Sequence, residues 1–110
     1  MSTVLEQQDL KLDIQTKGVE MNTYLERKIQ NMIKKLKHLL PEMAWMDIYL
    51  RTNSEAVNPR TVVLRMGIPG TDVVASDSGD RWKIILKNIE KRVIRQLEKR
   101  KMLMGKAVAA

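Results

Sequence analysis

Lys83, Lys87 and Lys91 follow one another at four-residue steps, and Arg92, Arg95 and Lys99 at steps of three and four. Cations at such spacings fall into rows along a helix. Rows of ammonium and guanidinium groups on a rigid element can meet successive phosphates, and Arg can grip a phosphate through two parallel N–H bonds. Arg81, Arg92, Arg95 and Lys99, with Asn88 among them, flank one side of an apolar stripe; Lys83, Lys87 and Lys91 run toward the other. Earlier in the chain Lys28 and Lys35 share a helix edge, with Asn31 between them, while Arg27 and Lys34 lie nearer the crown. Binding of a polyanion is the chemistry these residues suit.

Catalysis has little to work with. There is one histidine, His38, and no cysteine. No metal-ligand spacing and no phosphate-cradling glycine loop appears. Asp77 and Asp80 read as caps of the helix that follows them. The expectation is a protein without catalytic residues, metal, cofactor or small-molecule substrate.

Charge is unevenly placed. The formal net charge is +7 and the pI about 9.9. Fourteen of the 20 Lys and Arg lie in residues 22–40 and 80–101, against four of the 13 acids, so these segments sum to +10 and the rest to −3. Such polarity favours nucleic acid as a partner. The opening residues carry Glu6 and Asp9 and no apolar run, which argues against a secretory signal; a cytoplasmic location is expected.

The elements that must hold these cations follow from periodicity. Leu10, Leu12 and Ile14 alternate with polar residues, as a half-buried strand requires. Lys17-Gly18 turns the chain, and Asn22 or Thr23 can cap a helix whose Leu25, Ile29, Met32, Ile33, Leu36 and Leu40 share a face until Pro41 ends it. Met46, Ile48 and Leu50 mark a second strand, residues 52–59 a polar loop, and Val62, Leu64 and Met66 a third strand. Pro69-Gly70 suits a type II turn, and residues 72–76 make a short fourth strand. Trp82, Ile85, Leu86, Ile89, Val93 and Leu97 form the stripe of the last helix, which should overrun its core or fray at Arg100. The order is β-α-β-β-β-α in an α+β domain of residues 10–101, between a flexible lead-in of residues 1–9 and a tail of residues 102–110. One four-stranded sheet with both helices on a single face is the economical packing.

The sheet's other face would then show Trp45 and Tyr49. They could stack on unpaired bases, but shielding of the sheet is the simpler reading. An RNA-recognition-motif fold would place its second helix before the last strand and carry aromatics on a central strand; this chain does neither. A membrane partner is not expected, because the sheet needs both helices' apolar faces.

Gly18-Val19-Glu20 after the first strand, Lys35-Leu36 in the first helix and Arg95-Gln96-Leu97-Glu98-Lys99-Arg100-Lys101 at the end of the last, taken in order, resemble the ribosome hibernation-promoting factors. Ala75-Ser76 and Gly79 before the last helix fit the same pattern. The resemblance covers roughly residues 10–101. It implies a double-stranded-RNA-binding-like fold, docking on the small ribosomal subunit's rRNA in the mRNA and tRNA channel, and inhibition of translation in stress or stationary phase. It also implies a short form without a C-terminal dimerisation domain, monomeric when free, with Lys35, Arg92, Arg95, Lys99 and Lys101 as rRNA contacts. Adding the helix-one cations gives Lys28, Lys34, Lys35, Arg92, Arg95, Lys99 and Lys101 as the expected RNA-binding set. The row Lys83, Lys87 and Lys91 is expected to be mainly solvated charge. A general double-stranded-RNA-binding module is the alternative.

Overall fold

The computed structural model describes residues 2–7, 10–54 and 57–100. Its elements are β1 (Ser2–Gln7), β2 (Leu10–Lys17), α1 (Thr23–Leu39), β3 (Trp45–Thr52), β4 (Arg60–Ile68), β5 (Thr71–Gly79) and α2 (Trp82–Lys99). The strands form one sheet in the order β1-β2-β3-β4-β5. β2 and β3 pair in parallel, and the other neighbours are antiparallel. The expected β-α-β-β-β-α order with both helices on one face is present in β2 through α2. One expectation is corrected: Ser2–Gln7 is no loose lead-in but an added strand, antiparallel to β2 from Ser2↔Gln15 to Gln7↔Leu10. The tail of residues 102–110 lies outside the described residues.

Strand alternation decides which face the helices cover. Leu10, Leu12 and Ile14 of β2, Met46, Ile48 and Leu50 of β3, Val62, Leu64 and Met66 of β4, and Val73 and Ala75 of β5 are all buried. They meet Leu25, Ile29, Met32, Ile33 and Leu36 of α1 and Ile85, Leu86, Ile89, Val93 and Leu97 of α2 in one continuous core. No polar or charged residue among those described is buried. Each large aliphatic side chain taken fully out of water contributes about 1.5–3 kcal/mol, so the helices' apolar stripes hold them down.

The chain's punctuation follows its sequence. The Asn22 side chain accepts from the Leu25 N–H at 2.8 Å, which makes it the cap of α1. Beyond Leu40, Lys37 Nζ donates to the Pro41 and Met43 carbonyls at 2.6 and 2.9 Å and fastens the exit of the helix. Gly70 has φ +87°, the value a type II turn asks of its third residue. Gly18 has φ +69°, with the Thr52 carbonyl 3.1 Å from where a β-carbon would stand.

The expected capping of α2 by aspartate does not occur. Its N-cap is Arg81, with no side-chain hydrogen bond. Asp77 instead takes a hydrogen bond from Asn88 at 3.0 Å and pairs with Arg92 at 3.2 Å, about two and three turns into the helix. Asp80 offers its backbone carbonyl to Arg60, whose guanidinium also lies over the Trp82 ring at 5.6 Å.

Topology fixes how the helices run. α1 returns the chain from the end of β2 to the start of the parallel β3, so it runs against both strands. β5 points the same way as β3, and α2 runs back along β5. The two helices are therefore parallel, with their positive N-terminal ends at the same end of the molecule.

Candidate nucleic-acid interface

With α1 and α2 side by side, each has one edge facing the other. On α1 that edge carries Lys28, Asn31 and Lys35; on α2 it carries Lys83, Lys87 and Glu90. Met32 and Leu86 floor the groove between them, which holds about 280 Å³. Four ammonium groups thus converge on one furrow that contains a single carboxylate. Lys35 pairs with Glu90 at 3.4 Å, its own side chain 59% exposed. An ion pair this open contributes about 0–1 kcal/mol, so Lys35 can be drawn to another anion cheaply. Lys28, Lys83 and Lys87 form no ion pair among the described residues. The parallel helix dipoles add positive potential at the end where these three lie.

The structure sorts the sequence-derived residues differently from the sequence. Lys28 and Lys35 are brought together in the groove. Lys34 is exposed on the crown of α1, and Arg95 and Lys99 are exposed on α2. Lys101 lies outside the described residues. Arg92 faces away from the groove: it donates to the Ser76 carbonyl and pairs with Asp77. It belongs to a ladder in which Gln96 donates to the Val74 carbonyl at 2.8 Å and Arg100 to the Asp72 carbonyl at 3.2 Å. These carbonyls recur every second residue on the outer side of β5, an edge strand. The helix row and the strand row run antiparallel and match turn for pair. Arg100, whose phase pointed to fraying, is thereby tied down.

Conversely, Lys83 and Lys87 line the groove, although the sequence assigned them to solvated charge. Nothing in their spacing separates the two rows. The distinguishing fact is which edge of α2 meets α1 and which meets β5, and that is a property of the sheet order.

The open sheet face offers less. The Trp45 indole lies across its register partner Gly67, where an added β-carbon would come within 1.9 Å of Nε1. Tyr49 is half-buried opposite Val63. Both rings shield the sheet. His38 is exposed on α1. Among the described residues no group of three His, Cys, Asp or Glu could hold a metal ion, and no helix is long and apolar enough to cross a membrane.

The fold and groove together define a basic, parallel helix pair on one face of a mixed sheet. Two solved structures share its arrangement of sheet and helices. A ribosomal subunit interface protein from Coxiella burnetii superimposes with a TM-score of 0.68 at 19% identity, over 82% of this chain and 96% of that one. The N-terminal domain of Thermus thermophilus Protein Y does so with a TM-score of 0.65 at 10% identity, over 78% and 92%. At these identities the likeness establishes the fold. No model of a known family matches the chain, and no curated protein matches its sequence.

Proposed function

We propose that this protein binds the ribosome and inhibits translation, docking on small-subunit rRNA through its helix pair and occupying the channel used by mRNA and tRNA. The observation that carries this reading is the groove: Lys28, Lys35, Lys83 and Lys87 converge from two helices onto one furrow, opposite the sheet face. The likeness to the Coxiella burnetii ribosomal subunit interface protein supports the choice of ribosome over other polyanions. Lys34, Arg95 and Lys99 extend the positive surface over the crowns, and Arg92, half exposed while bonded to β5, contributes field rather than the central grip. The protein acts by occupancy and requires neither catalytic residues nor a cofactor.

Cosedimentation with isolated small subunits tests the docking, and loss of mRNA or tRNA binding on addition of the protein tests the occlusion. Free duplex RNA in excess separates this reading from a general double-stranded-RNA binder, which recognises A-form shape and phosphates. Duplex RNA should leave most of the protein on the subunit. Complete displacement by duplex would establish the general binder instead.

A further inference from the structure

Tyr24 stands at the N-terminal start of the groove's α1 edge. Tyr24, Lys28, Asn31 and Lys35 recur at steps of four, three and four, which places them in one line along the helix. The Lys28 ammonium lies 5.5 Å from the centre of the Tyr24 ring, and Lys28 itself lines the groove. Tyr24 is 54% exposed. The chain's other three aromatics have work within the fold: Trp45 covers Gly67, Tyr49 packs opposite Val63, and Trp82 joins the core beside Arg60. Tyr24 stabilises nothing comparable, since an exposed cation–π pair contributes only about 0.5–1 kcal/mol.

We propose that Tyr24 is a stacking platform for an unpaired RNA base whose neighbouring phosphates lie among Lys28, Lys83 and Lys87. The inference rests on the groove being the RNA site and adds what it recognises there: a flipped-out or single-stranded nucleotide next to the backbone it grips. The geometry suits the task. Tyr24 and Lys28 are separated by about 6 Å along the helix axis, so a base on the ring leaves its phosphate within reach of the first ammonium. Every base has a π-face, so the platform tolerates sequence while discriminating unpaired from paired nucleotides. The Lys28 ammonium beside the ring can turn to the phosphate as the base arrives, exchanging a weak contact for a charge-assisted one.

The test uses the full chain and a short single-stranded RNA carrying 2-aminopurine, alongside a blunt duplex of the same length. Tyr24→Ala should weaken single-strand binding roughly tenfold or more, the range for loss of one base–aromatic stack. Tyr24→Phe should bind like the parent, because the ring and not the hydroxyl does the stacking. Duplex affinity should be unchanged by either, and the quenching of 2-aminopurine seen with the parent should vanish with Tyr24→Ala alone. Unchanged single-strand affinity in Tyr24→Ala, or an equal loss for duplex, would overturn the platform. The groove is tested separately by Lys83→Glu with Lys87→Glu: if that pair leaves RNA affinity intact, the groove reading itself fails, whatever Tyr24 does. Equal binding of polyglutamate, with equal sensitivity to Tyr24→Ala, would reassign the corner to acidic peptide and also overturn the proposal.

Discussion

Arg92 shows how far a residue's chemistry is legible before its neighbours are known. A guanidinium in a row of cations suits phosphate, and the sequence says no more. In the fold the same group serves the Ser76 carbonyl and Asp77. Removing it should weaken the protein more than it weakens RNA binding. Arg92→Ala is expected to lower stability by about 1 kcal/mol, the scale of an exposed charge-assisted bond and ion pair, with ribosome affinity reduced only slightly. Chemical denaturation and cosedimentation of one preparation check both halves. Gly67 gives a second case. Its lack of a β-carbon is what lets the Trp45 indole lie across the sheet. Gly67→Ala should push the ring outward, destabilise by about 1–3 kcal/mol, and shift Trp45 emission to the red in a Trp82→Phe background. Unshifted emission would mean the ring is held elsewhere. The sequence placed Trp45 on the open face but could not pair it with Gly67, because register is set across strands.

At the scale of elements, periodicity carried most of the fold. Both helices, with their buried stripes, and β2 to β5 follow from spacings of three, four and two. Two things did not. β1 has no alternation to read, since Val4 and Leu5 are adjacent in a short run, and it is held by pairing with β2. The two polar edges of α2 are equivalent in sequence and opposite in use. One faces α1 and forms the groove; the other seals the outer carbonyls of β5 through Arg92, Gln96 and Arg100. Unsatisfied edge strands invite pairing with another chain. Changing all three of those residues to Ala should therefore increase self-association, read by sedimentation velocity, as well as lowering stability by roughly 1–3 kcal/mol. A triple variant that stays as dispersed as the parent would show that the ladder does not guard the edge.

For the whole molecule, the governing feature is polarity: residues 22–40 and 80–101, which contain the two helices, sum to +10, and the rest of the chain to −3. If the helix pair neutralises about six phosphates, the logarithm of affinity should fall against the logarithm of salt with a slope of roughly −4 to −5. A flat dependence would be incompatible with phosphate contacts. Net charge alone, however, does not place the contacts. The sequence reading spread them over Lys28, Lys34 and Lys35 of the first helix and Arg92, Arg95, Lys99 and Lys101 of the second, whereas the proposed reading centres them on the groove, where Lys28 and Lys35 meet Lys83 and Lys87.

The most direct measurement therefore compares two charge reversals of equal size. One variant carries Lys28→Glu, Lys83→Glu and Lys87→Glu in the groove. The other carries Lys11→Glu, Lys17→Glu and Arg51→Glu, exposed positions on the opposite sheet face. All six side chains lie outside the buried core, so matching circular dichroism is expected and is checked first. Cosedimentation with small ribosomal subunits should be abolished by the groove reversal. The sheet-face reversal should reduce it only as far as long-range attraction falls, an effect that moderate salt removes. Equal loss in both variants would contradict the account, because binding would then follow net charge and not the groove.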